Sequence, residues 1–370
     1  MKKGVFLILL FLLFETSYSQ AFQDTIPFRN DLGLIIIPLK FNGAVKQFAF
    51  DTGAEYSVAY GWAKKNLRKT NKSVTVRSSS NLRSKMSFYK SGKVQIGSRK
   101  ITGHRVLGAS ENSIFSCHKV DGILGVDIIK NFNWTIDYKN KILIMYPSNY
   151  FPKKIENMEA LEFSFNGRRP YVFLNLKKSR LQFLLDTGAG GYSNISKRNY
   201  NLTDLDKYPK VSFYSGSFGV NGILTKSNPV VFKIPKLTSK AVVFSPIINY
   251  NNQKSTKIGN KLWSEEELFL SLRKSKLYVS STNINQSYKT YTGTVIFKND
   301  KMQVLRIEVG SDLWKMGVRQ GDEILQINGK KFTDFCSLDQ YQRMLSKSGK
   351  SFDLQLANGK KITIAKKSYF

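Results

Sequence analysis

The chain has 370 residues, 41 % of them hydrophobic, too many for one ordinary domain and enough for two or three with closed cores. Lys and Arg number 58 against 26 Asp and Glu, a formal net charge of +32, yet the positive residues fall in ones and twos among strand-like segments. With no basic helix, cationic tail or recognisable nucleic-acid motif, the charge reads as a solvated surface, and no nucleic-acid partner is expected.

Residues 1–20 read as a secretory signal peptide. Lys2 and Lys3 precede an unbroken apolar run of eleven residues, 4–14, and Ser17 and Ser19 stand as in a small-x-small cleavage site. A bilayer core needs about 20 apolar residues, so this run is too short to span one. No later stretch reads as a transmembrane anchor, and no cysteine near the cleavage region suggests a lipid anchor. Export is therefore expected, to the periplasm or outside the cell. Cys117 and Cys336, the two cysteines, fall in different predicted domains and are expected to be free, packing as small hydrophobes.

A repeat dominates the middle of the chain. FAFDTGA at 48–54 returns as FLLDTGA at 183–189, an offset of 135, and residues 36–47 align without a gap against 171–182. Segment 94–106 resembles 232–243, and 138–146 resembles 272–280. From the motif Asp to a later Gly the distance is 74 residues in the first copy (Asp51 to Gly125) and 73 in the second (Asp186 to Gly259). Each copy is built of short Val-, Ile-, Phe- and Tyr-rich runs broken by Gly, Asn, Ser and Pro, which predict strands at 34–39, 45–50, 171–176 and 181–185. Short helices are expected near 127–131 and 264–268. The fold class is mainly β, with two β-lobes related by a pseudo-two-fold axis.

An apolar strand ending in Asp places a carboxylate where burial raises its pKa. Two such groups face to face cannot both ionise, so they share a proton, one serving as general base and the other as general acid. Gly53 and Gly188 permit the tight turn, Thr52 and Thr187 carry hydroxyls able to brace one loop against the other, and Ala54 and Ala189 are small enough to pack beneath. DTGA after an apolar strand, followed about 70 residues later by an apolar-apolar-Gly segment, resembles the pepsin and retropepsin superfamily of aspartic peptidases. Two copies in one chain resemble its bilobal form, over roughly residues 30–280.

That resemblance implies retropepsin-like β-barrel lobes, Asp51 and Asp186 as the catalytic pair, and a peptide or protein substrate. It also implies that Ile123-Leu124-Gly125 and Lys257-Ile258-Gly259 buttress the two Asp loops. Lys257 departs from the apolar pattern. It implies further a β-hairpin over the cleft; 78–89 and 214–222 are the candidates, and the sequence does not choose between them. No cofactor is implied, and the chain is expected to act as a monomer.

After a polar linker at 283–289, segment 309–332 resembles the central part of PDZ domains in bacterial exported proteases. Helices are expected at 312–315 and 337–346, strands at 323–327, 352–356 and 362–365, and a hairpin turn at Asn328-Gly329. The resemblance implies a peptide groove for protein C-termini, with Tyr291, Thr292, Gly293 and Thr294 as carboxylate loop and Val295, Ile296 and Phe297 as groove strand. The domains read as signal peptide 1–20, lobe one 21–150, lobe two 151–282 and a small α+β PDZ-like unit 283–370.

His104 and His118 show no metal-ligand spacing, so no metal is expected. The Cys117-His118 pair is set aside as strand neighbours on opposite faces, and Asp127 and Asp137 are read as turn residues. The expected function is an exported aspartic endopeptidase; the alternative is a non-catalytic exported peptide-binding scaffold acting through its PDZ-like domain.

Overall fold

The computed structural model describes residues 23–77, 83–111, 113–218 and 224–370. The segment read as a signal peptide lies outside them, as do the tips of both candidate hairpins. The chain is mainly β, arranged in several sheets. Among the described residues no helix is long and apolar enough to cross a membrane.

Two lobes follow one plan. Ile36–Phe41 pairs with Ala44–Phe50, and Phe48, Ala49 and Phe50 are all buried, so this strand carries the chain inward and delivers Asp51 to the lobe interface. Gly122–Leu124 then inserts beside it, Leu124 parallel to Phe50, while Ile123 faces Val58 of Val58–Tyr60 on the other side. In the second lobe Pro170–Leu176 pairs with Ser179–Leu185, whose buried end delivers Asp186. Lys257–Ile258 inserts there, Ile258 parallel to Leu185, and Lys257 faces Asn194.

A six-stranded sheet joins the lobes, with Phe132–Asp137 of one against Glu267–Ser271 of the other and Trp134 opposite Leu270. Trp134, Ile136, Leu268 and Leu270 are fully buried there, each such side chain contributing about 1.5–3 kcal/mol of apolar transfer. This recruitment also explains a shift from expectation. The second-copy helix is a 3-10 turn, Asn260–Trp263, rather than 264–268, because Glu267–Ser271 is extended into the shared sheet. In the first copy the helix is Val126–Ile129.

The C-terminal unit has its own core around Val304, Ile307, Leu313, Ile327, Leu338 and Leu354. Its helices, Asp312–Lys315 and Phe335–Ser348, start at Ser311 and Asp334, whose side chains accept from the Trp314 and Ser337 backbone N–H groups. The stretch read as a linker is structured: Asn283–Asn285 pairs with Val242–Ser245, and Lys289–Tyr291 with Lys366–Ser368.

This unit is fastened to both lobes. Strand Lys301–Glu308 pairs with Lys210–Phe218 of lobe two, and Tyr214 stacks on Trp314 with ring centroids 5.1 Å apart. On lobe one, Cys117 and Cys336 form a disulfide with a Cα–Cα distance of 5.3 Å, which corrects the expectation of free thiols. Cys117 ends a helix, Ser113–Cys117, so the strand-face argument did not apply. Beside it, His118 Nε2 lies 2.8 Å from Asp339 Oδ2.

A link across 219 residues removes about 5 kcal/mol of loop entropy from the unfolded chain. The Cys117→Ser/Cys336→Ser variant is expected to show a clearly lowered thermal unfolding midpoint. An unchanged midpoint would mean that the strand pairing and the His118–Asp339 contact hold the unit without it.

Candidate active site

Each motif Asp follows a buried strand end, and its backbone N–H is held by the inserted segment: Asp51 N donates to Leu124 O at 2.9 Å, Asp186 N to Ile258 O at 3.2 Å. The two loops then lock together. Thr52 N donates to Thr187 Oγ1 (2.9 Å) and Thr187 N to Thr52 Oγ1 (3.1 Å). The same hydroxyls donate across the interface, Thr52 to Leu185 O at 2.5 Å and Thr187 to Phe50 O at 2.8 Å. Both threonines are buried, so four backbone groups cut off from water are paired by two side chains.

The glycines set how close the carboxylates come. A Cβ placed on Gly53 would lie 2.5 Å from Asp186 Oδ1, and one on Gly188 only 2.2 Å from Asp51 Oδ2. Each carboxylate therefore presses on the glycine of the opposite loop, and any side chain there would collide with it. Asp51 and Asp186, 135 positions apart, meet across the lobe interface. Alanine follows in both loops; Ala54 O accepts from Val126 N, and Ala189 O from Asn260 N, both at 2.8 Å.

The two carboxylates are held differently. Asp51 Oδ1 accepts from Gly53 N at 2.7 Å and Ala54 N at 3.1 Å. Asp186 Oδ2 instead accepts from the Lys257 ammonium at 2.9 Å, with both side chains largely buried. Burial and the neighbouring Asp186 charge push the Asp51 carboxyl up to about 7, against the pull of the two backbone N–H groups and Lys257. Burial alone would lower the Lys257 ammonium, but the Asp186 and Asp51 charges bring it above its usual value. Tyr60, also buried, feels the Asp51 charge, and its hydroxyl has no hydrogen-bond partner among the described residues.

Sequence reasoning missed several supporting residues. Asn260 Nδ2 donates to Thr187 O and Gly33 O, and its Oδ1 accepts from the Tyr138 hydroxyl. Asp127 is not a simple turn residue; its carboxylate accepts from the Ser57 N–H and hydroxyl, fixing the chain just beyond Ala54. Asp137 ends its strand and caps the turn that follows, accepting from Asn140 N. His104 Nε2 lies 3.1 Å from Asp127 Oδ2. No cluster able to hold a metal occurs among the described residues.

The two candidate hairpins differ in attachment. In lobe one, Arg68–Arg77 and Arg83–Lys90 pack Val74, Val76, Met86 and Phe88, together with Ala54 and Tyr56, on the buried cluster of Val58, Tyr60, Leu107 and Ile123 beside the Asp51 loop. In lobe two, the middle of Lys210–Phe218, from Ser212 to Ser215, is bound to the C-terminal unit.

In that unit, the residues expected to form a peptide groove are partly engaged. Tyr291 is buried, and its hydroxyl lies within donating distance of both Leu345 O (2.8 Å) and Lys350 O (2.9 Å). Thr292 N donates to Ala365 O, and Gly293 and Thr294 pair with Ile307 and Arg306. Val295 and Ile296 are buried, whereas Phe297 is half-buried. On the free edge of this strand, Gln342 of the 335–348 helix pairs both backbone groups of Val295, accepting from its N–H at 3.1 Å and donating to its C=O at 2.9 Å.

Residues 37–128 match the family model for aspartyl protease. The matched segment contains Asp51 and the Gly125 insert. It supports an aspartyl-protease relationship and, with it, protease activity in general. No curated protein matches the chain.

Because Asp51 binds its proton more tightly folded than unfolded, its contribution to stability is complete below its ordinary value of 3.8 and is lost as pH rises toward 7. The span corresponds to about 4 kcal/mol at most. Asp51→Asn should gain on the wild type across that window and be the more stable protein at pH 8, read by urea unfolding at pH 4 and pH 8. Parallel pH dependence in the two proteins would refute the shifted carboxyl.

Proposed function

We propose that the protein is an aspartic endopeptidase that hydrolyses peptide bonds between its two lobes. The observation that carries this is the meeting of Asp51 and Asp186, each backed by the other loop's glycine and locked by the Thr52–Thr187 exchange. A buried carboxylate pair holding one proton supplies base and acid together, which is what water attack on an amide requires. The lobe-one hairpin, which packs on its own lobe beside the Asp51 loop, is the flap in this reading, since the lobe-two hairpin is already held by the C-terminal unit. Export fits the disulfide, because structural disulfides persist in oxidising compartments.

Asp51→Asn and Asp186→Asn should each reduce cleavage of an unfolded protein substrate by at least about 1,000-fold with folding intact, since each carboxyl has its own role. Retention of full activity by either variant would rule out the shared site.

We propose also that the C-terminal unit is a PDZ-like domain whose groove is closed by its own helix. A peptide strand adding at Val295 must first displace the Gln342 amide. Gln342→Ala is expected to bind peptides with a free C-terminal carboxylate more tightly than the wild type, measured by calorimetry. Equal binding, or none in either protein, would remove the groove from the functional account.

A further inference from the structure

The duplicated site is not symmetric, and the asymmetry has one chemical source. In lobe one the inserted strand presents Ile123, parallel to Ala49 and opposite Val58. In lobe two the same place in the register, parallel to Leu184 and opposite Asn194, is taken by Lys257. Its ammonium reaches Asp186 Oδ2 at 2.9 Å, whereas Asp51 is bonded by backbone N–H groups. An ammonium this enclosed costs several kcal/mol in lost hydration unless a carboxylate neutralises it.

We propose that Lys257 is a positioning residue that fixes the proton of the catalytic pair, keeping Asp186 as the carboxylate and general base and leaving Asp51 as the carboxylic acid. The proposal rests on the endopeptidase reading of the same site.

In the first step water's oxygen bonds to the peptide carbonyl carbon as its proton passes to Asp186. The carbonyl π electrons move onto oxygen, which takes the proton of Asp51. In the second step the C–N bond breaks, the nitrogen takes the proton from Asp186, and a hydroxyl of the tetrahedral intermediate returns a proton to Asp51. The pair ends as it began.

The charged groups acting on Lys257 are Asp186 and Asp51. The strand facing it contributes the neutral Asn194, and the Tyr60 hydroxyl on the lobe-one side senses Asp51. With the ammonium present, the pair and its lysine carry no net charge in the working state, instead of one negative charge. The Asp51 carboxyl, raised to about 7, then sets the upper pH limit of activity.

Two experiments decide the matter. In wild-type protein carrying 13C-labelled aspartate carboxyls, with the two resonances assigned from Asp51→Asn and Asp186→Asn, the Asp51 signal should change from acid to carboxylate near neutral pH. The Asp186 signal should keep its carboxylate position throughout that change. The reverse order overturns the proposal, and this readout needs neither activity nor a lysine variant. In Lys257→Met, loss of the charge should move both limbs of the pH–rate profile upward by roughly 1–3 pH units. Lys257→Arg, which keeps the charge, should retain the wild-type limbs. Cleavage by Lys257→Met with unmoved limbs would sink the role of Lys257 while leaving the endopeptidase reading intact. A wild type without hydrolysis at any pH, but with the expected carboxyl order, would sink that reading while leaving the proton assignment standing.

Discussion

Everything at the centre of this molecule hangs on two hydroxyl groups that each serve the other lobe. Thr52 and Thr187 exchange hydrogen bonds with one another's backbone and reach further to Leu185 and Phe50, so neither Asp loop has a complete set of partners within its own lobe. Such groups are expensive to leave unmet in a buried place. The lobes thus cannot drift apart without stranding donors and acceptors of both, and the carboxylates keep their separation as a by-product of backbone satisfaction. The shared six-stranded sheet reinforces the same geometry from below, with Trp134 against Leu270.

Around that symmetric brace the two halves have diverged. Lobe one keeps an apolar insert and a hairpin packed on its own lobe; lobe two has an ammonium in its insert and a hairpin tied to the C-terminal unit. Asn260 of lobe two and the Ser57–Asp127 pair of lobe one do comparable buttressing work with different chemistry. A duplicated frame permits this, because the shared requirement sits in four residues per loop and the positions behind them are free to specialise.

Local signals in the sequence carried the frame well. Strands ending in Asp, the spacing to Gly125 and Gly259, and the C-terminal segments 312–315, 323–327 and 352–356 all follow from short-range pattern. What escaped was long-range. The partner of Cys117 is 219 residues away, and nothing near either cysteine names the other. Gln342 reads as one more polar helix residue until the strand beside it is known. Lys257 was visible as a break in the apolar pattern, but its meaning depends on Asp186, 71 residues earlier, which the fold alone supplies. The 3-10 turn at Asn260–Trp263 likewise yields to a sheet formed with the other lobe.

The Cys117–Cys336 bond turns most of the chain into a covalent loop that threads through both lobes and the C-terminal unit. A single nick anywhere inside that loop, including in the exposed turns of lobe two, cannot shed a fragment. The cut protein would stay one molecule until a reductant separates it.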